Sequence, residues 1–314
     1  MFLNRGYLDK KLGLLRAQMN EMGISTELRG WAYATPPVKP ARNIPLPVSE
    51  LAGRYCPTMR DVYLKRVLRV QPPHNFKAFR GIAYHRVISE TITECKRFLY
   101  ERGVVSGSTF YEVMSVKVPF LLERLMDEVK RRIGDVSDEE YKIVYEGAAM
   151  LYKYILIDIA YSINQTLSRF PHSEVDSLVG EAIPPITEMK VDGSLIGLSR
   201  ELSVDLYAPS NAVIDVKTGD VRPFHRYAPT GYALAIEADK GIPIDIGITA
   251  YLSIGGTGVP SFSVDAFVIS DELRREFLEL RDEAQLLVAR AVDPGMPSVC
   301  PENCPYFSHC HGEE

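Results

Sequence analysis

The stretch "AVIDVKTG", residues 212–219, puts a carboxylate and an ammonium two positions apart inside an apolar run. A short run of this kind predicts a strand. Side chains alternate faces along a strand, so Asp215 and Lys217 share one face while Ile214 and Val216 share the other. One face then packs on a core and the other presents an acid beside a base. Burying such charges is expensive unless they are paired or used. A salt bridge on a solvated edge strand is the plain account of a lone Asp-x-Lys. Upstream, Asp205 in "SVDLY" alternates with Val204 and Leu206, and the turn "APSN" (208–211) joins the two runs. A hairpin of this kind brings Asp205 and Asp215 onto one face of adjacent strands. Two carboxylates held together raise each other's pKa, and a bound Mg²⁺ or Mn²⁺, which takes oxygen ligands, removes that cost. Lys217 beside them is a point charge for a scissile phosphate, or a group that positions the attacking water.

Working outward, the N-terminal half reads as helical. Helical spacing marks residues 1–30, then "PTMRDVYLKRVLRV" (57–70) with Pro57 in a first turn, then "FKAFRGIAYHRVISETITECKRFLYERG" (76–103), which carries His85. A further helix is expected over 116–133, and the longest over 138–169, where Tyr141, Val144, Tyr145, Ala148, Leu151, Ile155, Ile159 and Ile163 form a core stripe. The Pro-rich stretch 34–47 is a loop. Near residue 180 the period changes to that of strands. After the Asp-x-Lys strand come a helix, "TGYALAIEADKG" (230–241), and a second hairpin, "IDIGITAYLSI" and "SFSVDAFVIS" around "GGTG". Ser270 caps a helix running to about Val292. The expected fold is α/β (α+β): a single domain with a helical part (about 1–175), a mixed sheet flanked by helices (about 176–292) and a cysteine tail (293–314).

The net charge of −5 hides an asymmetry. Residues 54–102 carry eleven Lys and Arg against four Asp and Glu, a local +7 that leaves −12 for the rest. A basic subregion is a footprint for phosphate contact, with solvated helix faces as the alternative. The most apolar long segment, 143–163, contains Glu146, Lys153 and Asp158, and so reads as no membrane span. The N-terminal stretch is amphipathic and charged rather than a signal peptide, and a soluble cytoplasmic protein is expected.

Three of the five cysteines, Cys300, Cys304 and Cys310, crowd into the final "CPENCPYFSHCHGEE". In a reducing cytosol three thiols in a Pro-punctuated tail point to metal ligation, with disulfides as the alternative in a hyperthermophile. Cys56 in "RYCPTMRDVYL" shares the Cys-Pro start of "CPENC" and is the natural fourth ligand. Cys95 falls in the middle of a helix by pattern and reads as a small buried side chain.

The order D-x(9)-D-x-K on a hairpin resembles the PD-(D/E)xK restriction-endonuclease-like core, and "VIDVKTG" resembles its RecB-type branch. "GIAYH" matches that branch's upstream helix histidine with His85, and "TGYALA" its tyrosine with Tyr232. With one cysteine upstream and three at the end, the set resembles the CRISPR-associated Cas-four nucleases. The phrases "RYCPTMRDVYLKRV" and "HRYAPTGYALAIE" are closest to the archaeal Csa-one branch. The resemblance implies that His85, Asp205, Asp215 and the carbonyl of Val216 hold Mn²⁺ or Mg²⁺, and that Lys217 serves the attacking water. It implies that Cys56, Cys300, Cys304 and Cys310 hold a [4Fe–4S] cluster. Four thiolates also suit Zn²⁺, but Cys-x₃-Cys-x₅-Cys lacks the paired short loops of zinc ribbons. The implied activity is a DNA exonuclease acting on single-stranded ends in CRISPR adaptation, alongside the integrase proteins. One position departs from the pattern: Ala228 stands where a Gln is usual, four residues before Tyr232. His225, Arg226 or Tyr227 are the candidates to replace that amide. Failing that, the chain is a catalytically weak or inactive subunit that binds DNA ends or the integrase.

Overall fold

Five strands lie in chain order in one sheet: β1 (Ile186–Val191), β2 (Leu202–Ala208), β3 (Ala212–Lys217), β4 (Ile246–Ile254) and β5 (Pro260–Val268). This is a computed structural model, and it describes residues 5–53, 55–72, 76–134, 136–255, 258–301 and 304–312. All neighbours are antiparallel except β3 and β4, which run parallel with Asp215 opposite Thr249 and Lys217 opposite Tyr251. A parallel pair needs a crossover. It is made here by α9 (Tyr227–Lys240), which Gly241 ends in the left-handed conformation at φ 66°.

Helices precede the sheet: α1 (Arg5–Met22), α2 (Val48–Gly53), α3 (Arg60–Arg66), α4 (Phe76–Arg102), α5 (Gly107–Val116), α6 (Val118–Ile133), α7 (Asp138–Arg169) and α8 (Val175–Ala182). Two follow it, α10 (Asp271–Arg290) and the short α11 (Phe307–His311). The longest of them, α7, starts at a capping box in which Ser137 and Glu140 satisfy each other's backbone amides. The helix expected at 116–133 is α6, and a separate short helix, α5, precedes it. α5 stops at Val116, and Pro119, which has no N–H to donate, falls in the first turn of α6. Pro57 lies in a turn ahead of α3 rather than in its first turn, and Met59 takes the left-handed conformation between them.

The apolar residues form a layer on each face of the sheet. On one face Ile214, Val216, Ile248 and Ala250 pack with α4, α5, α6, α7 and α8, so this core crosses the border expected near residue 175. On the other face Val213 and Phe267 pack with α2, α9, α10 and residues 28–46. β3 is therefore a central strand covered on both sides, not a solvated edge.

The N-terminal strap, residues 25–46, has no regular ladder, and α10 satisfies it instead. Buried Arg281 donates to the carbonyls of Pro37, Val38 and Ile196, and Gln285 to those of Ile44 and Gly197. Arg274, wholly buried, makes two hydrogen bonds of 2.7 and 2.9 Å to Glu237 on α9, which also accepts from Arg29 and from the amide of Gly30. Loop carbonyls that lack backbone partners need side-chain donors when buried.

Candidate active site

β2 turns its faces over midway. Leu202 and Val204 belong to the core beneath α9, whereas Leu206 and Ala208 belong to the core of the long helices. The changeover falls at Asp205. Its neighbour across the β1 ladder is Glu188, a non-glycine residue in the left-handed region at φ 50° inside a strand. There Asp205 Oδ2 accepts from the amide of Val216 at 2.9 Å and stands 3.3 Å from His85 Nδ1 on α4. A strand residue directs its N–H and C=O to the same neighbour. The Val216 carbonyl therefore faces the same gap as Asp205. Asp215, 4% exposed, meets Lys217 Nζ at 2.9 Å through Oδ2 and at 3.3 Å through Oδ1.

His85, Asp205, Asp215, Val216 and Lys217 thus converge where β3 ends. Tyr232, half-buried on α9, stands close enough to feel both carboxylates and Glu188, and burial together with these charges drives its pKa upward. Glu188 also accepts from the Ser203 hydroxyl, to which Lys190 donates. No sequence pattern singles out Glu188. Its backbone conformation does.

Each acid has its own basic partner. Burial opposes the charged imidazole of His85, but Asp205 and Asp215 outweigh it and hold its pKa above the ordinary histidine value. Burial likewise opposes the Asp205 carboxylate, yet His85 and the Val216 amide keep its pKa below the usual range. For Asp215 burial wins: with Asp205 beside it, its pKa rises in spite of Lys217. Burial disfavours the Lys217 ammonium, but the two carboxylates more than restore it.

Among the described residues no three His, Cys, Asp or Glu side chains already stand at the spacing that holds one metal ion. The donor set nonetheless fits a divalent cation. Asp215 Oδ2 is buried without a hydrogen-bonded donor, its approach to Lys217 being an ion pair of poor geometry. Two carboxylates, an imidazole and a carbonyl are ligands such ions accept. Thr249, opposite Asp215 on β4, also has a buried hydroxyl without a partner among the described residues.

The helix after β3 carries Ala228 buried, at 2% exposure, so nothing polar occupies that position. Of the three possible replacements, Arg226 is engaged with Asp265 and Tyr227 with Glu276. His225 donates to or accepts from the Tyr251 hydroxyl at 3.2 Å. Burial and then nearby Lys217 and Arg222 press its pKa down to about 4, which marks it as the one of the three facing the lysine.

Much of the basic excess of 54–102 is neutralised. Arg60 pairs with Asp293, Lys65 and Arg66 with Glu50, Arg86 with Glu90 and Glu128, and Arg97 with Glu94. Among the described residues Arg69, Lys77, Arg80, Lys96 and Arg102 have no carboxylate partner. The footprint is narrower than the local +7 implies.

The tail folds back on α3. Cys304 and Tyr306 form a small core with Tyr63 and Leu64, and Cys310 packs against it. Cys56 Sγ lies 3.3 Å from the Thr58 hydroxyl, and Arg60 donates to Cys310 Sγ at 3.3 Å. Burial, then Asp61, Cys56 and Cys300, push the Cys304 thiol up to about 11. Burial, then Cys310 and Cys56, raise that of Cys300. Cys300 and Cys304 thus each lie within electrostatic reach of Cys56, whereas Cys95, fully buried inside α4, stands apart in the helical core. Among the described residues no three of these thiols stand at the spacing that holds one metal ion, but thiols gathered beside one arginine are the donor type a metal centre takes.

The family described as CRISPR-associated exonuclease Csa1 matches residues 1–313. A protein of that name from Saccharolobus solfataricus is 34% identical over 289 residues, covering 92% of each chain. Another from Thermoproteus tenax is 33% identical over 288 residues, covering 91% of each. The chain belongs to the CRISPR-associated exonuclease Csa1 family.

Proposed function

We propose that this chain is a metal-dependent DNA exonuclease that acts on single-stranded ends in the cytoplasm during CRISPR adaptation, next to the integrase proteins. The observation that carries the proposal is the convergence of His85, Asp205, Asp215 and Lys217 at the end of two parallel central strands. Strand ends of this kind are where open sheets bind ligands.

His85, Asp205, Asp215 and the Val216 carbonyl would hold Mn²⁺ or Mg²⁺, and the imidazole favours Mn²⁺. Such an ion, when bound, stabilises charge on the scissile phosphate and makes its bound water acidic enough to attack. Lys217 has to leave Asp215 for the metal to bind. Released, its ammonium orients the water or meets a phosphate oxygen. Tyr232 fixes the outer side of the carboxylate pair, and His225 takes the place of the missing amide near the lysine. Cys56, Cys300, Cys304 and Cys310 would hold a [4Fe–4S] cluster that pins the tail to α3. The spacing Cys-x₃-Cys-x₅-Cys, which lacks the paired short loops of zinc ribbons, favours the cluster over Zn²⁺.

The test is Lys217→Ala. Mn²⁺-dependent cleavage of a single-stranded oligonucleotide should vanish while circular dichroism and the melting transition stay as in the wild type. Undiminished cutting would overturn the assignment. Buried Ala228 favours one competing reading, a subunit that binds DNA ends without cutting them. Tight binding by the wild type with no Mn²⁺-dependent product would select it.

A further inference from the structure

A cleft of about 620 Å³ opens directly beyond Lys217, between α4, α7 and the β4–β5 hairpin. Its floor is Thr218 and Gly219, the residues after Lys217, and one wall is Phe76, Arg80 and Tyr84 of α4. Arg80 lies five residues before His85, about one and a half helical turns. It is fixed from two sides. Its Nη2 donates to the Thr218 carbonyl at 3.1 Å, and its guanidinium sits 5.6 Å from the centre of the Phe76 ring. Its Nε is buried and has no hydrogen-bond partner among the described residues. A half-buried guanidinium with no carboxylate partner among the described residues is suited to a phosphate oxygen. The cleft also lies at the start of α4, a helix of 27 residues with no acid in its first turn, where the helix dipole favours an anion.

The walls of the cleft are held close. A methyl on Gly147 of α7 would lie 2.1 Å from the Tyr84 hydroxyl, and one on Gly258 would lie 2.9 Å from the Met150 side chain. Two acids, Glu146 and Asp220, stand at the exposed margin, and Asp220 is 3.6 Å from Arg222. The apolar wall of Phe76, Ile143 and Met150 faces bases better than water does.

We infer that this cleft is the subsite for the nucleotide adjoining the scissile phosphate, that it takes a single strand, and that Arg80 anchors the phosphate of that nucleotide. The inference rests on the nuclease reading above. Because Arg80 is hydrogen-bonded to the residue after Lys217, a strand gripped there is held in register with the acidic pair. A cleft of about 620 Å³ is the size of a single small-ligand site, which suits one strand rather than two.

The test uses full-length protein in the Lys217→Ala background, with and without Arg80→Ala or Arg80→Lys, and a fluorescein-labelled single-stranded oligodeoxynucleotide. Anisotropy is measured across a salt series. Arg80→Ala should weaken binding at least about tenfold. It should flatten the log–log salt slope by about 0.7, the value for one phosphate contact to a single strand. Arg80→Lys should keep the slope. A neutral methylphosphonate next to the cleavage position should weaken binding to the parent and add nothing in Arg80→Ala. An unchanged slope, or an equal methylphosphonate loss in both proteins, would overturn the anchor. Equal binding of a blunt duplex, with the same dependence on Arg80, would overturn the single-strand assignment. If the wild type makes no Mn²⁺-dependent product yet Arg80 still sets the slope, the subsite stands and the nuclease reading falls. Cleavage that is lost on Lys217→Ala but keeps its KM in Arg80→Ala gives the opposite result.

Discussion

Glu237→Gln tests whether the layer under α9 is held by charge. Glu237 is wholly buried and receives five donors: two from Arg274, one from Arg29 and the amides of Gly30 and Ile244. The substitution keeps the shape and removes the anion. Arg274, also wholly buried, is then left with the carbonyls of Leu28, Ile244 and Ile269 and with Asp245 at 3.7 Å. Removing one partner of a buried ion pair typically costs about 3–5 kcal/mol. The remaining carbonyls and Asp245 put the expected loss toward the lower end, about 3 kcal/mol. Replacing both residues, Glu237→Gln with Arg274→Met, removes the stranded charge and should recover at least half of the loss. The assay is urea unfolding followed by tryptophan fluorescence and far-UV circular dichroism. Trp31 sits on the strap, so the first signal reports detachment there and the second reports the helices. A single-mutant loss under about 1 kcal/mol, or a double mutant worse than the single, would refute the account.

Other substitutions bear on the site and the tail. Cys56→Ser should abolish the broad visible absorption expected of anaerobically purified protein and make the chain after residue 293 an early target of limited proteolysis. A colourless wild type loaded with zinc would contradict the cluster assignment. For His225 the folded pKa is depressed from 6.5 to about 4, so its contribution to stability is complete above 6.5 and is lost as pH falls toward 4. The wild type should therefore lose stability relative to His225→Gln across that window in urea titrations, and parallel curves would exclude the effect. Ala228→Gln puts an amide at a packed position and should destabilise by about 1–3 kcal/mol. If it raises cleavage without that loss, His225 is not the replacement.

The features legible in the sequence are those written in local chemistry. The borders of α7 follow from a capping box and an uninterrupted stripe, and the β2–β3 hairpin from Asn211, which takes the left-handed turn position at φ 59°. The pairing of Asp205 with Asp215 follows from counting along that hairpin. What escaped depends on neighbours remote in the chain. β1 is an edge strand of mostly half-exposed residues and carries no clean alternation. β3 reads as half-buried because α9, which covers its charged face, is supplied by a crossover. The basic segment looks free because its neutralising acids, Glu50, Glu128 and Asp293, lie outside it in sequence. Ala228 is legible as a departure, but only the fold shows which neighbour stands near the lysine.

The strap under α10 has a consequence for how the chain is made. Its bonds join Ser25 to Asp271, Val38 to Arg281 and Ile44 to Gln285, more than 240 residues apart in each case. A ribosome adding about 5–20 residues per second needs roughly ten to fifty seconds to get from one partner to the other. During that interval the strap carbonyls of Pro37, Val38 and Ile44 are without their α10 donors, while the long helices behind them are already complete. Docking of the strap is thus among the last steps of biogenesis, and a fusion that delays release of the C-terminus should prolong the time the N-terminus stays open to proteases.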